Sequence, residues 1–121
     1  MNINPTLITA LAPLGLPVRQ TVYIPDPPEA PMPAQYIVFI TYYNALADFS
    51  SGTAIREDLS GQLSVFSRSD YKDLVEQAVT LMRTAGFRVQ LGRENYEKET
   101  GYHQQIIEWQ WFEVLYEGGA T

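Results

Sequence analysis

The segment from residue 71 to residue 85 leaves little choice of local structure. Tyr71, Leu74, Val75, Ala78, Leu81, Met82 and Ala85 recur at offsets 0, 3, 4, 7, 10, 11 and 14, a continuous apolar stripe on the helical period. Ser69 or Asp70 is the expected N-cap, with Asp70 and Asp73 placing negative charge in the first turn. Gly86 is placed to end the helix in the left-handed conformation, and Phe87 supplies the hydrophobic contact after the cap. Arg83 complements the dipole, and Lys72, Asp73, Glu76 and Gln77 form the wet face. Such a stripe has to be buried against another layer. The flanking sequence supplies one, because the period changes to two on both sides. Before the helix, Leu59–Ser67 places Leu59, Leu63 and Val65 on one side, with Gly61 between them, and Gln62, Ser64 and Phe66 on the other. After it, Phe87–Leu91 places Phe87, Val89 and Leu91 on one side and Arg88 and Gln90 on the other.

The remaining segments extend this helix-on-sheet pattern. Asn4 is a suitable N-cap with Pro5 at the first helical position, and Leu7, Ile8, Leu11 and Leu14 share a face. Pro13 and Gly15 predict an end near Ala12. Val18–Ile24 reads as a short strand. Pro25 to Pro33 holds five prolines in nine residues, which forbids helix and central strand and predicts an extended surface spacer. Gln35–Tyr43 is apolar on both faces and is expected centrally in the sheet. Asn44–Asp58 is expected to be a long polar loop with room for a short extra hairpin. Gly92–Gly101 is charged and turn-like, and His103–Glu117 is a long final strand. In that strand Ile107, Trp109, Trp111 and Leu115 share one parity, and Ile106, Phe112, Val114 and Tyr116 the other. The apolar weight changes sides between Trp111 and Phe112, which predicts a bulge or strong twist there. Gly118 to Thr121 reads as a frayed end. The order predicts an α+β two-layer domain, a mostly antiparallel sheet with two helices on one face. At 121 residues, 1–121 is expected to be a single domain.

Few chemistries fit this composition. There is no cysteine, so disulfides, cysteine-held metals and thiol nucleophiles are excluded. The single histidine, His103, rules out a multi-histidine metal site. With Glu97 and Glu99 it makes a poor ligand set and reads as a solvent-facing strand residue near a turn. The acid pairs Glu57/Asp58, Asp70/Asp73 and Glu97/Glu99 lie in polar or helix-starting sequence, where nothing splits their pKa values for catalysis. Ser50, Ser51 and Gly52 lack the rest of a nucleophile elbow or phosphate loop. The expectation is a protein that is no enzyme and needs no cofactor. Fourteen acids against eight bases give a net charge of −6, which argues against a partner held by phosphate contacts. Trp109 and Trp111, flanked by Glu108 and Glu113, read as core rather than as base-stacking aromatics. No apolar run is long enough for a membrane helix, and Met1 to Pro5 lacks the basic region of a signal peptide. A cytoplasmic protein without a membrane partner is expected. Lys72 falls in the helix and Lys98 in a turn, so little blocks a sheet edge from self-association.

Three stretches together resemble a known family. They are Tyr36-Ile-Val-Phe-Ile-Thr-Tyr-Tyr-Asn44 followed by Ala47-Asp-Phe-Ser-Ser-Gly52, then Ser64-Val-Phe-Ser-Arg-Ser-Asp-Tyr71 running to Leu81-Met-Arg-Thr-Ala-Gly-Phe87, then Glu94-Asn-Tyr-Glu-Lys-Glu-Thr-Gly-Tyr-His103. The set is similar to small tail-completion proteins in the structural gene clusters of phages and prophages of Gram-positive bacteria. These are also called tail-to-head joining proteins and are related in fold to the tail terminators of lambda-like phages. The resemblance covers about residues 7 to 116. It implies a non-enzymatic virion assembly protein that caps the tail tube and joins it to the head connector. It also implies a homo-oligomer, a hexameric ring like that of the terminators, assembled in the host cytoplasm and sited at the virion's head–tail interface. Tail-tube and head-connector proteins are the implied partners, and net negative charge would let DNA pass without specific binding. Within that picture the candidate interface residues are Phe49, Ser51 and Arg56 in the polar connection, Arg56 being its only cation, and Tyr96, Glu97 and His103 around the final turn. Arg56 could pair with Glu97 or Glu99 of a neighbour. The alternatives are another small virion component, such as a head–tail stopper or minor tail protein, and a small soluble ligand-binding domain or enzyme.

Overall fold

A computed structural model describes residues 2–48 and 54–117, with the side chains of 43–48, 54–57 and 114–117 outside that description. The elements in order are α1 (Asn4–Leu11), a short 3-10 turn (Ala12–Leu14), β1 (Val18–Gln20), β2 (Gln35–Asp48), β3 (Ala54–Ser67), α2 (Lys72–Ala85), β4 (Arg88–Glu97) and β5 (Tyr102–Glu117). The strands form one sheet in the order β1-β2-β3-β5-β4. Only the β1–β2 pair is parallel; the other three pairs are antiparallel. Both α-helices pack on one face of that sheet, so the fold is the expected two-layer α+β arrangement.

The core follows from the stripe. Leu74, Val75, Ala78 and Met82 of α2, with Ile3, Leu7 and Leu11 from the N-terminal segment, are buried on Ile37, Phe39, Leu63, Val65, Ile107 and Trp109 of the sheet. Each large side chain so buried contributes about 1.5–3 kcal/mol. Gly86 adopts φ +110° and its N–H donates to the Arg83 carbonyl, while the Phe87 N–H donates to Met82. That is the predicted left-handed cap, and Phe87 is buried edge-on against Trp109. The caps at the N-termini are shifted from expectation. Asp70 accepts the Lys72 N–H at 3.1 Å, with Tyr71 in the N-cap position. For α1 the acceptor is Asn2, not Asn4; the Asn4 side chain instead accepts the Thr41 hydroxyl and ties α1 to β2.

Several expected loops are strand. The polar connection Asn44–Asp58 shrinks, because β2 runs on to Asp48 and β3 begins at Ala54. Both strands are pulled out by pairing: β3 is bonded to β2 on one side and to β5 on the other along its whole length. A ladder satisfies backbone groups whatever side chains it carries, so the hydrophobic pattern underestimates it. Likewise β4 continues through the charged stretch to Glu97, and only Lys98–Gly101 turns. β1 is shorter than Val18–Ile24 because Thr21 takes φ +69°, which ends the pairing. The bulge expected at Trp111/Phe112 is absent there. Leu59 faces Trp111 and Asp58 faces Phe112 in unbroken register, and the slip comes at Leu115, between the pairs Arg56–Val114 and Ile55–Tyr116. The apolar weight changes sides because Trp111 packs on Phe87 in the helix layer while Phe112 lies under the Arg88 guanidinium on the far face.

The proline segment is more than a spacer. On the far face, at the end opposite the β2–β3 connection, Tyr36 stacks on Phe66 with centroids 4.6 Å apart, and Tyr102 meets Tyr36 edge-on. Tyr23 packs on Tyr36, the Arg68 guanidinium sits 4.4 Å over Tyr102, and the Tyr102 hydroxyl donates to the Pro33 carbonyl at 2.5 Å. The chain around the prolines is thus pinned at both ends over an aromatic cluster. Burial raises the Tyr36 hydroxyl pKa, with Tyr102 and Glu97 adding to the rise and Arg68 opposing it. Replacing Tyr102 by Phe removes one hydrogen bond, worth about 1 kcal/mol. Limited proteolysis should then cut within 25–33 severalfold faster while the sheet stays intact.

Candidate protein interface

Tyr96, Glu97 and His103 come together, as their positions around one turn require. Tyr96 pairs with His103 across the β4–β5 hairpin, and Glu97 pairs with Tyr102. His103 meets two rings: Tyr71 stacks on it with centroids 5.1 Å apart, and Tyr96 lies tilted against it at 4.7 Å. Tyr71 comes from the start of α2, a contact that strand periodicity does not disclose. His103 is therefore half-buried among aromatic rings and is not a freely solvated strand residue. Tyr96 is 59% exposed and Glu97 is exposed, so this end of the sheet presents an aromatic and a carboxylate to solvent.

Arg56 lies at the other end of the molecule. It sits within β3, between Ala47 of β2 and Val114 of β5, whereas His103 pairs with Ser67 at the far end of the same strand. Eleven positions of β3 separate the two ends, roughly 35 Å at strand rise. Phe49 and Ser51 lie outside the described residues; in sequence they fall between Asp48 and Ala54, the ends of β2 and β3. The candidate residues thus divide into two groups at opposite ends of one sheet.

Between these ends, the far face is only partly covered. Ile40 and Tyr42 of β2 are 40% and 56% exposed there. Tyr42 occupies a bulge, because Thr41 pairs with Gly61 and Tyr43 with Ser60. Beside them Ser60, Arg88, Gln90, Glu108 and Gln110 line a shallow trough that crosses toward β4. Among the described residues no three His, Cys, Asp or Glu side chains are grouped as a metal would require. The two edges of the sheet differ along their length. β1 covers β2 only at Ile37, Val38 and Phe39. On the opposite edge β4 is regular from Arg88 to Leu91 and bulged at Gly92 and Arg93. The buried Gln105 amide pins that bulge by donating to the Gly92 carbonyl at 3.0 Å.

No protein-family model matches the chain, and no curated protein matches it. Among solved structures, the virion of a native gene transfer agent particle contains a chain that is 15% identical, with 93% of this chain and 84% of that chain covered and a TM-score of 0.46.

Proposed function

We propose that the protein is a non-enzymatic virion assembly component of the tail-completion type, which caps a phage tail tube and joins it to the head connector as a ring. The observation that supports this reading most is the placement of the candidate contacts. A joining protein needs two separate docking ends held at a fixed distance, and the Arg56 end and the Tyr96–Glu97–His103 end stand at opposite ends of one continuous sheet. Strands carry that separation rigidly, because β3 is hydrogen-bonded on both sides. In this reading Phe49, Ser51 and Arg56 meet one partner, and Tyr96, Glu97 and His103 meet the other. The tail-tube protein and the head connector are those partners, and the net charge of −6 keeps passing DNA from adhering.

Light scattering coupled to size exclusion, with and without tail-tube protein, tests it. The chain should bind tubes and form rings on them. Phe49→Ala or Arg56→Glu should cut tube binding at least about tenfold, the loss of roughly 1.4 kcal/mol at an interface, with the melting temperature unchanged. Failure to bind tubes, together with normal tails from a deletion mutant, would overturn the proposal.

A further inference from the structure

Six of the seven large apolar side chains that stay exposed among the described residues fall into two groups. The first belongs to the β1–β2 border. Ile40 and Tyr42 lie there on the far face, and Val22 and Ile24 flank Tyr23, whose ring packs on Tyr36 of that face. The second belongs to β4 at the opposite edge of the sheet, on the helix side. Leu91 pairs with the core residue Ile107, and Tyr96 pairs with His103, on which Tyr71 stacks from the start of α2. Residues directly opposite in an antiparallel pair share a face. Charges of opposite sign sit within the two groups. Arg19 pairs with Val38 on the far face, its guanidinium 5.7 Å from the centre of the Tyr23 ring and bonded to the Val18 carbonyl. Glu94 lies between Leu91 and Tyr96 on the helix side of β4 and hydrogen-bonds the Tyr71 hydroxyl. A guanidinium has five donors and a carboxylate about four acceptor sites, so both keep capacity for a further partner.

The two groups also match along the strands. Across the sheet Leu91 is level with Phe39, Glu94 with Ile37 and Tyr96 with Gln35. One residue further toward Asp48, the far face of β2 carries Ile40, then Val38 beside Arg19, then Tyr36 under Tyr23. A single axial offset of about 3.4 Å therefore brings three pairs level: Leu91 with Ile40, Glu94 with Arg19, and Tyr96 with Tyr23. Apolar meets apolar, carboxylate meets guanidinium and ring meets ring. Surfaces on opposite edges and opposite faces are placed for overlap. A neighbour generated by rotation about an axis along the strands keeps its strand directions, and its β4 edge can slip beneath the β1–β2 border with helix side against far face. Such a contact is heterologous, as a ring requires. It is made by side chains and leaves the edge backbone as it is, so it is compatible with the Tyr42 bulge and with the Arg83 guanidinium on the Val89 carbonyl.

We infer that copies of this chain overlap at their borders, with the far face around Arg19, Tyr23 and Ile40 of one copy covering Leu91, Glu94 and Tyr96 of the next. This inference rests on the ring reading above and supplies its subunit contact. Tyr96 stands at the corner where the seam reaches the end of the sheet, so its ring serves the seam and the end contact together.

Charge reversal tests the overlap. Within one copy Arg19 and Glu94 lie four strand spacings apart, about 19 Å, so any pairing between them joins two copies. Assembly is followed by light scattering with and without tail tubes. Arg19→Glu and Glu94→Arg each set like charges against each other and should weaken assembly at least about tenfold. The double variant Arg19→Glu/Glu94→Arg should regain the assembly of the parent. An equal mixture of the two single variants should scatter above the monomer, because each supplies the charge the other lacks. That rescue also excludes misfolding as the cause of the loss. Ile24→Asp, at a side chain 65% exposed, should abolish assembly with the melting temperature within a few degrees of the parent. A single variant that assembles like the parent, or a double variant or mixture that stays monomeric where the parent assembles, would overturn the overlap and leave the ring reading standing. A parent that stays monomeric with and without tail tubes would overturn both.

Discussion

A Gly61→Ala variant should unfold at least about 10 °C below the parent, a loss of roughly 3 kcal/mol or more. Gly61 sits in β3 on the helix side of the sheet, opposite Trp109. A Cβ built there collides with the Ile40 carbonyl oxygen and with Cζ2 of Trp109, and lies 2.7 Å from Cε2 of the same ring. The backbone oxygen cannot swing away as a side-chain tip could, because Ile40 is paired with Gln62 of β3. The glycine therefore serves a close approach and not a turn. Trimming the ring does not remove the first collision, so Trp109→Phe should rescue only part of the loss. Thermal denaturation followed by circular dichroism on the two single variants and the double variant measures that coupling. A Gly61→Ala protein of parental stability would show that the strands separate more readily here than their register allows.

Trp109→Ala should cost about 3–5 kcal/mol, the usual penalty for emptying a large aromatic site. Trp109 is only 1% exposed and lies edge-on to Phe87 in the centre of the helix–sheet layer. Trp109→Phe should cost far less, about 1–2 kcal/mol. The reason is that the indole Nε1 is buried without a hydrogen-bond partner. The substitution breaks no hydrogen bond and removes a polar group whose desolvation is uncompensated. Trp111 makes the contrast. Its Nε1 donates to Glu113 at 3.0 Å, so Trp111→Phe loses a charge-assisted bond that Trp109→Phe does not. Denaturant titration monitored by circular dichroism, with unchanged m-values, checks the order.

How much of the molecule was legible beforehand differs by element. α2 was readable almost to the residue, because Tyr71 to Ala85 carries a stripe of a single period and Gly86 an unambiguous stop. The helix-facing set Leu59, Leu63, Val65, Ile107 and Trp109 was readable for the same reason: alternation reports which side is buried. The strand ends were not. Asn44 to Asp48 holds one large apolar side chain, Leu46, and Arg93 to Glu97 is mostly charged, so neither carries an alternating apolar pattern; they are strands because neighbouring strands offer partners to their backbone. The three bulges, at Tyr42, Gly92–Arg93 and Leu115, also left no periodic trace, since each depends on two strands at once.

The candidate contacts divide along the same line. Tyr96, Glu97 and His103 flank one tight turn, so their proximity followed from chain connectivity. The stacking of Tyr71 on His103 and the pinning of the proline segment at Pro33 by Tyr102 join residues distant in sequence, and only packing could reveal them. The separation of Arg56 from Glu97 by the length of β3 belongs to the same class. What the sequence determined by itself was local and periodic: one amphipathic helix, the faces of the central strands, and the absence of cysteine. What only the tertiary structure decided was which strands lie at the edges, where those edges are covered, and where bulges interrupt them. Those are properties of strand order and register, which arise from long-range pairing and leave no mark within any one segment.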